Sequence, residues 1–171
     1  MIAAIVVALA LGLLPPAPVP ADGLTRSVLT AGGTAYHYRY DGDRLVVRAE
    51  RGRADPNRRE LVVPDRASRS RDQLSCATWV RESGLRMQQG LAVRVVHQGR
   101  RVRAVTLTKN VFGGTQTVMN LLTWDTARRG DPWRAVGQFD LAAVLLHGRK
   151  PRPLPWRACL RVVGRKATFK V

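Results

Sequence analysis

The stretch LAVRVVHQGRRVRAVTLT, residues 91–108, decides the fold class. Leu91, Val93 and Val95 recur with a period of two while Arg94 points the other way, the pattern of a half-buried strand. Gln98-Gly99-Arg100 turns the chain, and Val102 to Thr108 returns it. The same pattern occurs upstream. Thr34 to Tyr40 places Tyr36, Tyr38 and Tyr40 on one face, Asp41-Gly42-Asp43 follows, and Leu45, Val47 and Ala49 alternate with Val46, Arg48 and Glu50. An Asp-Gly turn between two such runs is a strong hairpin signal. The tyrosine stripe reads as half-buried sheet packing rather than as a ligand platform.

Further strands are expected at Leu61-Val62-Val63, Leu74 to Val80, Thr115 to Trp124, Arg157 to Val163 and Ala167 to Val171. Residues 51–73 otherwise read as a long Arg-rich loop. One short helix is expected near 140–147: Asp140 caps free N–H groups, Leu141 to Leu146 make about two turns, and Gly148 stops it. Pro151, Pro153 and Pro155 form an extended connector. About nine short strands with one helix predict an all-β fold, a sandwich of two antiparallel sheets. The 171 residues allow one such domain over 22–171.

Residues 1–21 read as a signal peptide. Ile2 to Leu14 is an uncharged apolar or small run, too short to span a bilayer, which takes about 20 residues. It ends in Pro15, Pro16, Pro18 and Pro20, and Val19-Pro20-Ala21 places small residues at −3 and −1 of a cut before Asp22. No Lys or Arg precedes the run; the alternative is an uncleaved anchor. The expected location is secreted or extracellular, with association to the cell envelope, and no transmembrane span after cleavage. In that oxidising setting Cys76 and Cys159, the only cysteines, are expected to pair. No Cys-x-x-Cys motif is present.

The charge is uneven. The chain has 29 Lys+Arg against 12 Asp+Glu, a net charge of +17. Residues 22–47 are neutral, whereas residues 73–171 carry a net +14. Three basic clusters stand out: Arg100, Arg101 and Arg103; Arg149, Lys150 and Arg152; Arg165, Lys166 and Lys170. On a strand, Arg101 and Arg103 project from the same face. Such a surface attracts polyanions over about 8 Å at physiological salt. No helix-turn-helix or aromatic RNA-binding signature occurs, so sequence-specific nucleic-acid binding is not expected.

Catalytic patterns are sparse. A jelly-roll glycosidase needs two carboxylates converging on a groove, but Asp41 and Asp43 flank a turn glycine. His37, His97 and His147 lack metal-ligand spacing, and no metal or cofactor is expected. Ser83-Gly84 is not a nucleophile elbow, and Gly113-Gly114 is a turn rather than a phosphate loop. Trp124 followed by Asp125 suits sugar stacking plus hydroxyl hydrogen bonding. Trp133 and Trp156, each next to a proline in a loop-like segment, are the other carbohydrate candidates.

The segments Gln88-Gln89-Gly90-Leu91, Val105-Thr106-Leu107-Thr108-Lys109-Asn110, Trp124-Asp125-Thr126 and Pro155-Trp156-Arg157-Ala158-Cys159 resemble small secreted proteins of actinobacteria without assigned function. The use of 25 Arg against 4 Lys fits a GC-rich genome of that kind. The strand order is also similar to jelly-roll sandwiches of the concanavalin A-like lectin and glucanase class, a likeness of fold alone. The expectation is therefore an exported, non-catalytic protein that binds an anionic cell-envelope or extracellular polymer through a basic surface. The alternatives are a lectin-like carbohydrate-binding module and an unusual or degenerate hydrolase on a jelly-roll fold.

Overall fold

The computed structural model describes residues 23–30, 36–41, 44–49, 59–64, 69–80, 89–109, 117–147, 150–151 and 155–171. The expected signal peptide, Arg149, Arg152, Gly113-Gly114 and most of the Arg-rich loop lie outside the described residues. The protein is an all-β antiparallel sandwich.

The 91–108 stretch forms an edge strand and its neighbour in a four-stranded sheet. Strands β6 (Gln89–Gln98) and β7 (Arg101–Lys109) pair through a turn in which Gly99 takes a φ of 57°. Strands β8 (Val118–Asp125) and β9 (Trp133–Asp140) continue the sheet in the order β6-β7-β8-β9, a meander. Leu91 pairs with Leu107 and Val93 with Val105, as the alternation requires.

The alternation then breaks. Val96 is the next residue in register, opposite Arg103, so Arg94 and Val95 together face Ala104. An extra residue of this kind reverses the parity of everything after it. Leu91 and Val93 therefore enter one core cluster while Val95 packs, with Ala92, against the other. The expectation of one common face for Leu91, Val93 and Val95 fails at this bulge.

A three-stranded sheet covers one face of the meander. Its order is β13 (Lys166–Lys170), β12 (Trp156–Val163), β5 (Gln73–Trp79). Leu160, Ala158, Val162, Ala167 and Trp79 from this sheet meet Leu91, Val93, Leu107, Met119 and Leu121 from the other. Leu160 is fully buried, and Leu107, Met119 and Leu121 are 1% exposed. Trp79 and Trp156 stack across the β5–β12 pair, with ring centroids 4.3 Å apart. The Cys76–Cys159 disulfide joins directly paired residues of β5 and β12, with Cα atoms 4.1 Å apart and a sequence separation of 83. Closing so long a loop removes unfolded-state entropy, about 4.5 kcal/mol in the chain-entropy argument.

The opposite face of the meander is covered at one end by a two-stranded ribbon, β1 (Leu24–Thr30) paired with β4 (Arg59–Pro64). Leu29 and Leu61 pack there against Val102, Ala104, Leu122 and Trp124. The meander is thus backed on both sides by apolar residues.

The tyrosine hairpin forms as expected, β2 (Tyr36–Asp41) with β3 (Arg44–Ala49). Tyr36 is buried, and the Tyr38 hydroxyl donates to Glu60 Oε2 at 3.0 Å. Burial, and then that contact, push the Tyr38 phenol well above its usual range.

The helix is shorter than the two turns expected: α1 spans only Ala142–Leu145. Asp140 does accept from the Ala142 N–H (3.0 Å), but it is also the last residue of β9, a strand the sequence reading did not place. A small ribbon of β10 (Leu146–His147) and β11 (Lys150–Pro151) follows.

Candidate functional site

Beyond the edge of the three-stranded sheet, one end of the meander face stays open to solvent. A groove of about 510 Å³ lies there, lined by Arg101, Arg103, Thr123, Trp124, Asp125, Ala127 and Arg128. Strand parity explains its composition. Arg103 stands opposite Asp125, and Val105 opposite Thr123, so all four share the face of Leu107 and Leu121; Val105 still packs against the first core cluster, whereas Arg103, Thr123 and Asp125 line the groove. Arg134 is paired with Thr123 and shares that face.

The groove is held from behind. Trp124 is 5% exposed, and its indole N–H donates to Thr106 Oγ1 at 2.9 Å inside the second core cluster. The Arg59 guanidinium lies 5.7 Å from the Trp124 ring centre; burial lowers its pKa from the ordinary arginine value. The loop that carries Ala127 and Arg128 is tied to β7 and β9. The Thr126 N–H donates to the Val102 carbonyl (3.0 Å), the Val102 N–H donates to Thr126 Oγ1 (2.8 Å), and the Asp125 N–H donates to the Pro132 carbonyl (2.8 Å).

Arg101 grips Asp125 with both arms of its guanidinium. Nε donates to Oδ1 at 2.8 Å and Nη2 donates to Oδ2. The Ala127 N–H also donates to Oδ1, at 3.1 Å. The hydrogen bond from Arg101 holds the Asp125 carboxyl at about 2, well below the usual carboxylate range, and raises the Arg101 pKa in turn. The two side chains are 43% and 31% exposed, so solvent screening keeps the net stability of the pair small. Arg103 donates to Gln98 Oε1 at 3.3 Å, and Arg128 to the Trp133 carbonyl at 3.4 Å. Three guanidinium groups therefore surround one carboxylate, and that carboxylate is engaged by one of them. Arginine forks match the geometry of phosphate and carboxylate oxygens.

The structure brings Arg101 and Arg103 together with Trp124 and Asp125, which sequence reasoning had assigned to different ligands. The Trp124 ring is enclosed, and Asp125 is committed to Arg101. Trp133 packs partly buried against the second cluster. Trp156 is stacked on Trp79, with the Lys109 ammonium 5.5 Å from its ring centre, and Trp133 and Trp156 begin strands, β9 and β12, rather than standing in the loop-like segments expected. Arg100 is exposed at the β6–β7 turn, and its carbonyl accepts from Thr126 Oγ1 at 3.5 Å. Lys150 lies in β11. Arg165, Lys166 and Lys170 are exposed on the β12–β13 hairpin. Sequence reasoning missed Arg128 and Arg134; the adjacent Arg128-Arg129 pair was the available signal. Among the described residues no three His, Cys, Asp or Glu side chains converge, and no helix is long and apolar enough to cross a membrane.

No protein family, curated protein or solved structure matches the chain.

Proposed function

We propose that the protein is exported and binds an anionic polymer of the cell envelope or its surroundings through this groove, without catalysing a reaction on it. The convergence of Arg101, Arg103 and Arg128 on a concave surface, with its one carboxylate already engaged, carries this reading. The rigid backing by the second core cluster supports it, since a preformed receptor loses little entropy on binding. The disulfide and the apolar leader are consistent with export.

Binding of the purified protein to inorganic polyphosphate across a salt series tests it. Affinity should fall steeply with salt, with a log–log slope magnitude of several units from counterion release. Arg103→Glu and Arg128→Glu should each weaken binding and lower that slope by about one unit. No binding at low salt, or binding that ignores both substitutions, overturns the assignment to the groove.

A further inference from the structure

A second basic surface lies on the outer face of the three-stranded sheet, and its register gives it an unusual regularity. Ala158, Leu160, Val162 and Ala167 point into the core. Alternation therefore turns Arg157, Cys159, Arg161 and Val163 of β12, and Lys166, Thr168 and Lys170 of β13, outward. Arg157, Arg161, Lys166 and Lys170 are all exposed, and among the described residues no carboxylate pairs with them.

The two strands are antiparallel, with Cys159 opposite Lys170, Arg161 opposite Thr168 and Val163 opposite Lys166. Read along β12, the cations come in the order Arg157, Lys170, Arg161, Lys166. They alternate between the strands and advance two residues, about 7 Å, at each step, while the strands lie about 5 Å apart. The third strand contributes Leu74, Cys76 and Thr78 to this face and no charge. The cations thus form a line about 20 Å long rather than a field. The Cys76–Cys159 disulfide sits at the level of Lys170 and fixes β12 to β5 beneath it.

The line ends at the turn of Gly164 and Arg165. Arg165 shares a narrow crevice with Arg94 and Thr123, and Thr123 is also part of the groove lining. The row and the groove thus meet at a crevice that is otherwise apolar, lined by Val105, Leu121, Val136, Val162 and Ala167, and whose Arg94 is paired with Asp72.

We infer that the outer face of β12 and β13 is a track for a linear polyanion with regularly repeated charges, a polyphosphate or phosphodiester chain, which runs on past Arg165 into the groove. The inference rests on the reading of the groove as an anion site and extends it to a chain rather than a single anionic group. A line of cations beside a neutral lane complements a chain; a lipid surface would be served equally by charge on all three strands.

The experiment compares long-chain inorganic polyphosphate with tripolyphosphate as probes for the full-length protein. It uses a track variant, Arg161→Glu with Lys170→Glu, and a groove variant, Arg103→Glu with Arg128→Glu. The neutral pair Arg161→Gln with Lys170→Gln serves as a second track variant, and far-UV circular dichroism checks that each remains folded. The track variants should weaken long-chain binding about tenfold or more at low salt and lower its salt slope by about two units, with tripolyphosphate affinity unchanged. The groove variant should weaken both probes. If the track variants leave long-chain affinity and slope unchanged while the groove variant lowers them, the track is refuted and the groove stands. If only the track variants matter, the groove reading fails and the track stands. Absence of binding to either probe refutes both. Tighter binding to phosphatidylglycerol vesicles than to polyphosphate, lost in the same track variants, makes the occupant a bilayer and overturns the inference.

Discussion

The Asp125 carboxyl lies at about 2 because Arg101 meets it with two donors and Ala127 adds a third. A carboxylate held this way is ionised throughout the neutral range, so it acts as a fixed charge that orients Arg101 and not as a proton donor. The native-state pKa is depressed below the unfolded value of about 3.9, so the stabilisation is present above that value. It is lost as the pH falls from about 4 towards 2. Carbon-detected NMR titration should place the Asp125 midpoint near 2, and Arg101→Gln should return it towards the ordinary range. An ordinary midpoint in the unsubstituted protein would mean that the ion pair does not persist in solution. The consequence for binding is direct: below pH 2 Asp125 no longer opposes an incoming anion, whereas above pH 4 the net positive charge of the groove rests on Arg103 and Arg128.

At the scale of the element, the β6 bulge does the most to shape the molecule. Arg94 carries a φ of 53°, the only non-glycine residue in the left-handed region among the described residues. That conformation costs an L-residue about 1–2 kcal/mol. Three hydrogen bonds hold it there: its N–H donates to Gln73 Oε1 (2.6 Å), Nε to the Arg71 carbonyl (2.5 Å) and Nη2 to the Gly164 carbonyl (2.6 Å). Asp72 completes the junction by accepting from the Gly164 N–H at 2.9 Å. One residue thus joins the meander to the start of β5 and to the β12–β13 turn. Arg94→Ala loses the guanidinium contacts and keeps the strain, whereas Arg94→Gly loses the same contacts but relieves it. The glycine variant should therefore be the more stable of the two by about 1 kcal/mol in urea unfolding, the reverse of the usual cost of glycine in a strand. Equal stabilities, or a more stable alanine variant, would mean that the bulge relaxes without its arginine.

The same feature explains which elements the sequence disclosed. Hairpins with unbroken alternation, β2–β3 and β12–β13, were legible because period two and turn chemistry agree. The position of β6 was legible but the facing of Val95 was not, since a bulge leaves the composition of a strand unchanged and reverses its parity. β9 was missed for a related reason. Its register shifts between Leu121 and Leu122 of the partner strand, leaving Val136 extra and Gly137 inside the strand, so no simple alternation survives. Its end, Phe139-Asp140, then read as the start of a helix.

At the scale of the whole molecule, the structure combines three layers of sheet with a charge of +17. Arg101 and Arg103 could be read as neighbours because they share a strand. Arg128 could not, because only the β8–β9 loop brings it there. The zigzag of β12 and β13 depends on a register that no single strand encodes. With 29 Lys+Arg against 12 Asp+Glu, cations outnumber carboxylates more than two to one, so most of them repel one another without a carboxylate of their own, and compaction brings them closer than they are in the unfolded chain. Raising sodium chloride from about 10 mM to physiological ionic strength shortens the Debye length from about 30 Å to about 8 Å. Screening should relieve more repulsion than it removes attraction, so the melting temperature should rise by about 2–4 °C for each kcal/mol of repulsion relieved. Chloride is the appropriate salt, because sulfate also strengthens apolar burial and would confound the sign. A melting temperature that falls over this range would mean that attractive pairs outweigh repulsion in the folded state, and the basic surfaces would then be internally compensated rather than open to an anionic partner.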